Sequence, residues 1–202
     1  MAIRHIVFDI GGVLLNFDPE YAYVDLIPDP AERKAFLNEV CSRDWIIAQD
    51  RVHAWAPGEA GLIEQDPEKQ ALIRSFRKRW HDMVPNAIAK SVDILDWLSA
   101  NGSDITALTN FNGETFDEAF ERFDLFKRFR GITVSGKIGL LKPEPEIFRH
   151  HVAAFDLSPE ETLFIDDVAA NIEAARDEGW QAVQFISPDG LERDLRSLEV
   201  IV

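Results

Sequence analysis

The sequence predicts an α/β protein, a doubly wound parallel-sheet (Rossmann-like) core with an inserted all-helical cap. After residue 85, short runs of β-branched and aromatic residues alternate with helical patterns, as in parallel strands joined by helical crossovers. From about Pro19 to Pro85 the patterns are helical and no strand stands out. Because this stretch follows the first strand directly, we predict a core of residues 1–17 and 86–202 interrupted by a cap of residues 18–85.

Each element of the predicted core has a local signal. Ile3 to Phe8 is a short buried strand, and Gly11-Gly12 makes the tight turn after it. Asn101-Gly102 and Gly179 are favourable helix ends. We predict further strands at 105–108, 132–134, 162–165 and 182–186, and helices at 87–100, 114–123, 145–155, 169–178 and 191–198.

Composition and charge narrow the class of protein. The chain has 202 residues, 46% hydrophobic residues and a formal net charge of -15. So acidic a surface repels nucleic acid and anionic membranes, and we expect neither as a partner. No apolar window approaches a membrane span, no signal peptide is recognisable, and Cys41 has no partner for a disulfide. We expect a cytoplasmic protein; the sequence carries no signal for its oligomeric state.

Polar residues follow the predicted strands where each strand ends. Asp9 follows the first strand, Thr109-Asn110 the second, and Asp166-Asp167 a later one, whereas Lys142 precedes a helix. The carboxyl ends of parallel strands gather along one edge of the sheet, beside its switch point. We therefore expect these four segments to converge on one crevice.

The charges of that crevice predict a metal ion. Asp9, Asp166 and Asp167 bring up to three carboxylates together, and Lys142 supplies one positive charge. Like charges at such distances raise each other's pKa or require a cation. Mg²⁺ prefers oxygen ligands and keeps positions free for phosphate oxygens, so we predict Mg²⁺ as the cofactor.

Four segments carry a resemblance to a known family. They are FDIGGVL from Phe8, LTN from Leu108, KPEPEIF from Lys142 and FIDDVAANIEAA from Phe164. In this order they resemble the four motifs of the haloacid dehalogenase-like hydrolase superfamily. The sequence is most similar to its capped phosphatases, such as the amino-terminal phosphatase domain of soluble epoxide hydrolase and bacterial glucose-1-phosphate phosphatases.

The resemblance implies a phosphomonoester hydrolase that acts on a small phosphorylated metabolite, with a sugar phosphate as one candidate. It implies that Asp9 is the nucleophile and forms an aspartyl-phosphate, with Lys142 as the neutralising cation. Gly12, Thr109, Asn110 and Lys142 are the implied phosphate-binding residues, together with Gly11.

The resemblance also implies a set of metal ligands. They are Asp9, the carbonyl of Gly11, and one or both of Asp166 and Asp167. Asp167 lies four residues before Asn171, the spacing of the family's metal-binding carboxylate. We therefore prefer Asp167 as the direct ligand, with Asp166 orienting Lys142 or a metal-bound water.

Gly11 departs from the family pattern. Related phosphatases usually carry an aspartate there, two residues after the nucleophile, as general acid and base. Losing such a group costs about 10²–10⁴-fold in rate. Either a cap residue donates the proton, with Asp18, Asp50 and His53 as candidates, or the leaving group is acidic, as in a sugar 1-phosphate or an acyl phosphate.

Two other functions stay open at this point. A 2-haloacid dehalogenase shares the aspartate nucleophile and needs no metal, but Asp166-Asp167 would then be an uncompensated buried charge. A catalytically weak relative that binds a phosphometabolite is the other, and Gly11 is its only support. The adjacent histidines His150 and His151 point about 100° apart on a helix, so we predict surface positions for both.

Overall fold

The computed structural model describes residues 2–200. Its sheet has five strands, all parallel, in the order β3-β2-β1-β4-β5. The strands are β1 (His5–Phe8), β2 (Asp104–Thr109), β3 (Ile132–Val134), β4 (Thr162–Asp166) and β5 (Gln181–Gln184). The prediction of a parallel α/β core is confirmed.

Helices connect and cover the strands. Between β1 and β2 lie α1 (Pro30–Glu39), α2 (Arg43–Asp50), α3 (Ala56–Gln65), α4 (Gln70–Lys78), α5 (Trp80–Met83) and α6 (Ala89–Ala100). The later helices are α7 (Gly113–Arg122), α8 (Ser135–Ile138), α9 (Pro145–Phe155), α10 (Ala169–Asp177) and α11 (Pro188–Ser197). Within residues 2–200, none of these helices has the length and apolarity needed to cross a bilayer.

The position of β1 determines where the site lies. The chain builds β2 and β3 on one side of β1 and then returns to add β4 and β5 on the other side. Phe8, the last residue of β1, is level with Ala107 of β2 and Ile165 of β4. Asp9 therefore emerges at the switch point, between the carboxyl ends of both neighbouring strands.

The core lies on both faces of the sheet, as the alternation in β1 requires. Ile6 and Phe8 pack on one face and Val7 on the other. The first face is continuous with apolar side chains of the stretch before α6, among them Tyr23 and Phe76. One hydrophobic cluster thus spans the sheet and the segment inserted after β1.

The stretch between β1 and α6 is helical, as predicted. It contains α1 to α5 and two 3-10 helices, Pro19–Ala22 and Pro67–Lys69. We refer to residues 18–85 as the insertion. Its description as a separate cap domain stays a prediction, because its apolar residues share the core's main cluster.

The sequence located the core elements to within a few residues, and it missed short ones. The four-residue helix α8 and the 3-10 helices Asp124–Arg128 and Pro159–Glu161 were not predicted. These elements are too short to produce a periodic apolar pattern.

The prediction of a surface position is wrong for His151. His150 is exposed, but His151 is fully buried, and its ring nitrogens pair with the hydroxyls of Thr106 (2.9 Å) and Thr133 (2.8 Å). Burial lowers the pKa of His151 to about 3, with smaller contributions from neighbouring positive charges. The imidazole is therefore a neutral core residue that bridges β2 and β3.

Candidate active site

Lys142 lies at the centre of the predicted site. Its side chain is 1% exposed, and its ammonium is 2.6 Å from Asp166 Oδ2, 2.9 Å from Asp9 Oδ1 and 3.0 Å from the carbonyl of Leu108. Burial disfavours the charged ammonium, but the two carboxylates outweigh it and raise the pKa of Lys142. The structure thus brings three separated segments to one cation.

Asp9 is buried directly beyond β1. Its Oδ1 accepts hydrogen bonds from the backbone N–H of Ile10 (2.7 Å) and from the ammonium of Lys142. Burial raises the pKa of Asp9 to about 8; Lys142 opposes this shift and the charge of Asp166 adds to it. A further positive charge close to Asp9 would lower this pKa and so favour the ionised carboxylate.

Asp166, the last residue of β4, is held from several directions. Oδ1 accepts the backbone N–H of Val168 (2.8 Å), and the amide of Asn171 lies 3.0 Å from both carboxylate oxygens. Together with Lys142, these contacts engage both oxygens of a fully buried side chain. Asp166 is thus fixed as an anchor for Lys142.

Asp167 points toward the turn after β1. It is partly exposed, and burial and the charge of Asp166 both raise its pKa. Gly12 has φ +75°, and a Cβ at Gly12 would lie 2.6 Å from Asp167 Oδ2. The absence of a side chain at Gly12 therefore lets this carboxylate approach the turn closely.

Thr109 and Asn110 end β2 beside Lys142. The hydroxyl of Thr109 is buried and has no hydrogen-bond partner among residues 2–200, so it is free to bind an oxygen of a ligand. The amide of Asn110 is instead paired at both ends, donating to the carbonyl of Lys142 (2.9 Å) and accepting from its N–H (2.8 Å). That amide clamps the loop that carries Lys142, and its second N–H is left for the predicted contact to phosphate.

A cavity of about 100 Å³ opens next to these residues, between the sheet edge and the insertion. Gly11 and Asn110 line it from the core, and Asp50, the last residue of α2, lines it from the insertion. A Cβ at Gly11 would meet no atom of the described residues within 4 Å. The space near Gly11 is thus open toward the cavity.

Sequence reasoning missed Asn112, which joins the insertion to the core. Its Oδ1 caps α7, accepting from the N–H groups of Glu114 and Thr115, and its amide donates to the carbonyls of Gln49 (3.0 Å) and Val52 (2.7 Å). The pattern Asn-Gly-Glu-Thr is a recognisable helix start. Its second use depends on a contact some 60 residues away, which no local pattern reveals.

The acidic cluster fits a hard divalent cation. One carboxylate oxygen each from Asp9, Asp166 and Asp167 can be chosen so that all three lie within 4.8 Å of one another. If all three carboxylates are ionised, Lys142 balances only one of the three negative charges, and burial together with the charge of Asp166 raises the pKa of both Asp9 and Asp167. Oxygen donors with this surplus of charge are the ligands that Mg²⁺ takes in proteins.

Comparison with known proteins gives relatives whose names describe several activities. The chain is 25% identical to a sesquiterpene phosphatase of Aspergillus oryzae over 95% of its length and 94% of the relative's. It is 34% identical to bifunctional epoxide hydrolase 2 of Mus musculus, covering 98% of this chain and 39% of that protein. It also matches 36% of a drimenol cyclase of Aspergillus calidoustus, at 24% identity over 97% of this chain. The chain therefore spans less than half of two of these three relatives.

Solved structures share the fold. A haloacid dehalogenase family enzyme from Bacteroides thetaiotaomicron, solved with magnesium and inorganic phosphate, superposes with a TM-score of 0.72 at 24% identity, covering 91% of this chain and 94% of that chain. The family model of the haloacid dehalogenase-like hydrolases matches residues 3–179, which include all the residues of the predicted site. The chain belongs to the haloacid dehalogenase-like hydrolase family.

Proposed function

We propose that this hydrolase is a Mg²⁺-dependent phosphatase of small phosphorylated metabolites. The convergence of Asp9, Asp166 and Asp167, the first two of which pair with the Lys142 ammonium, carries the proposal. A site with excess negative charge is poorly suited to bind a phosphate dianion until a divalent cation joins it. The names of the relatives, a sesquiterpene phosphatase and a D-ribitol-5-phosphate phosphatase, support the same reaction class.

Asp9 is the proposed nucleophile. Its Oδ1 is occupied by Ile10 and Lys142, which leaves Oδ2 for attack on phosphorus. As the O–P bond to Asp9 forms, the bond from phosphorus to the leaving oxygen breaks and gives an aspartyl-phosphate. Water then attacks this phosphorus, releases inorganic phosphate and regenerates the carboxylate.

The other site residues stabilise charge and fix geometry. Lys142 holds Asp9 in place and neutralises charge on the transferred group, and Asp166 holds Lys142. The unpartnered hydroxyl of Thr109 is a donor for a phosphate oxygen, and the turn at Gly11-Gly12 brings the backbone close to the transferred group. Such pre-placed charges carry most of the acceleration in phosphoryl transfer.

Asp9, Asp167 and the carbonyl of Gly11 would hold Mg²⁺. We prefer Asp167 to Asp166 as a direct ligand, because both oxygens of Asp166 already have partners within the protein. When bound, Mg²⁺ damps the repulsion between nucleophile and phosphate.

Phosphate release from 4-nitrophenyl phosphate tests the proposal. We expect turnover with Mg²⁺, loss of turnover in EDTA and recovery on adding Mg²⁺. Asp9→Asn should abolish turnover and keep the circular dichroism spectrum, whereas Asp93→Asn, an exposed control on α6, should behave like the wild type.

Three outcomes would contradict the proposal. Unchanged turnover in Asp9→Asn would remove the nucleophile from the mechanism. Metal-independent halide release from 2-chloropropionate, without phosphate release, would identify a dehalogenase instead. Binding of phosphate esters without turnover would identify a catalytically weak relative.

A further inference from the structure

Asp50 borders the cavity beside the candidate active site. It belongs to the insertion, yet it lines the same cavity as Gly11 and Asn110. Gly11 stands where related phosphatases carry an acid, and no described atom fills the space beside it. A carboxyl group from the insertion thus borders the region in which the leaving group of a phosphate ester would lie.

The core holds Asp50 in place. Its Oδ1 accepts the N–H of Asn112 at 3.0 Å, and its backbone carbonyl accepts the hydroxyl of Ser135 at 2.6 Å. The next residue, Arg51, pairs with Glu144 and donates to the carbonyl of Gly139 at 3.0 Å. One carboxylate oxygen of Asp50 is therefore anchored, and Oδ2 is left to exchange a proton.

The other two candidates for this role are engaged elsewhere. The side chain of Asp18 caps a 3-10 helix, accepting the N–H of Glu20 at 2.9 Å. His53 is exposed and its ring packs against Gly113, and neither Asp18 nor His53 lines the cavity within the described chain.

The environment of Asp50 suits a proton donor near neutral pH. Burial raises the pKa of Asp50 to about 7, and the N–H of Asn112 and the charge of Lys142 limit the rise. A general acid works best when its pKa lies near the working pH.

We propose that Asp50 is the general acid and base of this enzyme. The assignment rests on the proposed phosphatase function. As the bond between phosphorus and the leaving oxygen breaks, the proton of the Asp50 carboxyl passes to that oxygen and releases an alcohol. The resulting Asp50 carboxylate then takes a proton from the water that attacks the aspartyl-phosphate. Asp50 is again protonated, and Asp9 is again a free carboxylate.

Asp50→Asn tests this assignment, because asparagine keeps an oxygen that can accept the N–H of Asn112. The variant is compared with the wild type on 3-methylbutyl phosphate, whose alkoxide needs a proton, and on 4-nitrophenyl phosphate, whose phenolate needs little help. We expect kcat/KM to fall about 10²–10⁴-fold for the alkyl ester and less than about 10-fold for the aryl ester. Asp44→Asn, an exposed acid of the same helix, should leave both values unchanged.

Equal losses on both esters would show that Asp50 acts only through structure, and no loss would show that another group moves the proton; either result overturns the assignment. A wild-type protein inactive on both esters would instead contradict the phosphatase function itself, and this assignment with it.

The lining of the same cavity leads to a second inference, about the substrate. Eight of its twelve lining residues are apolar, and the largest come from both the insertion and the core. They include Phe17, Trp55, Phe76, Trp80 and Phe111. At about 100 Å³ the cavity is smaller than the ~150 Å³ apolar cavities that hold benzene, so it suits a small hydrocarbon group.

The polar residues of the lining have few hydrogen bonds to offer. Within residues 2–200, one N–H of the Asn110 amide, the hydroxyl proton of Thr115 and Asp50 Oδ1 are already engaged. The groups left for a ligand are the second N–H of Asn110, Asp50 Oδ2 and the indole N–H of Trp55, which is buried without a partner in the same range of residues. A sugar carries several hydroxyl groups, each of which donates and accepts, so most of their hydrogen bonds to water would be lost here without replacement. We infer that the preferred substrate is a phosphomonoester of a small apolar alcohol, and this inference also rests on the phosphatase function.

A matched pair of esters tests the preference. 3-Methylbutyl phosphate and glycerol 3-phosphate each carry five non-hydrogen atoms beyond the ester oxygen. The neighbouring hydroxyls make the glycerol alkoxide the better leaving group, so a preference for 3-methylbutyl phosphate would not come from leaving-group chemistry. We expect kcat/KM to favour the first by about 10²-fold, from the buried hydroxyls alone. Phe17→Ser should reduce this ratio roughly 5-fold, and Val24→Ser, an exposed apolar control in the insertion, should not change it.

A ratio near one, or a preference for glycerol 3-phosphate in a fully active enzyme, would overturn the substrate inference and leave the phosphatase function intact. Absence of phosphate release from every ester would contradict the function instead.

Discussion

Replacing Lys142 by methionine removes an ammonium and keeps a side chain of similar length. In the wild type this ammonium is 2.6 Å from Asp166 and 2.9 Å from Asp9, with its side chain 1% exposed. Methionine leaves both carboxylates facing each other without that cation. Removing one partner of a buried ion pair costs about 3–5 kcal/mol, because the remaining charge has lost its hydration.

We therefore expect Lys142→Met to lower the free energy of unfolding by about 3–5 kcal/mol in EDTA. For a chain of this length, each kcal/mol shifts the melting temperature by about 2–4 °C, which gives a fall of roughly 6–20 °C. Mg²⁺ should recover part of the loss, since it brings positive charge back to the same carboxylates.

Thermal unfolding followed by circular dichroism measures this effect. Lys127→Met is the control, because Lys127 pairs with Asp124 in solvent, with side chains 70% and 79% exposed. Exposed pairs contribute about 0–1 kcal/mol. If Lys142→Met in EDTA melted within 2 °C of the control, the buried charges would not be coupled as their geometry indicates.

Three further predictions follow from single positions. Asp9→Asn should raise the melting temperature in EDTA, because it replaces a buried carboxylate whose pKa is about 8, and should abolish the stabilisation that Mg²⁺ gives the wild type. Gly12→Ala should weaken Mg²⁺ binding, measured by calorimetry, because its Cβ would lie 2.6 Å from Asp167 Oδ2 and displace that carboxylate; unchanged affinity would contradict this. The same substitution should lower the free energy of unfolding by about 1–2 kcal/mol, because alanine is strained at φ +75°. For His151, the folded-state pKa of about 3 lies below the usual 6.5, so stability is fully present above pH 6.5 and is lost as the pH falls toward 3. Between pH 7 and 5 the wild type should lose about 2 kcal/mol from this group in urea unfolding, and His151→Gln should lose correspondingly less, whereas His150→Gln should follow the wild type.

The sequence predicted the positions of those site residues that directly follow a recognisable strand. The apolar run before Asp9 predicted β1, and the run before Asp166 predicted β4, so the position of both carboxylates at one sheet edge followed from parallel topology. Lys142 lies in a loop whose local sequence does not place its side chain. Asn110, 32 residues earlier in the chain, holds the backbone of Lys142, and the partners of its buried ammonium come from the ends of β1, β2 and β4.

Other features depend on distant contacts and were out of reach. The burial of His151 has one local signal, because it shares a face of α9 with Ile147 and Phe148. Its partners Thr106 and Thr133, however, come from strands that the pattern does not connect to it. Asp50 could be named as a candidate beforehand, but the sequence did not show that it borders the cavity, because helices of the insertion carry no signal for how they dock.

The side chain of Asn112 hydrogen-bonds both to the start of α7 and to the insertion. The same side chain that starts α7 also holds the carbonyls of Gln49 and Val52, so the first turn of α7 and the docking of the insertion depend on one amide. An outward displacement of the insertion would break both donor bonds of this amide and leave the N–H groups of a buried side chain without these partners. The docked position of the insertion, and with it the shape of the cavity, is therefore stabilised by a buried amide of the core.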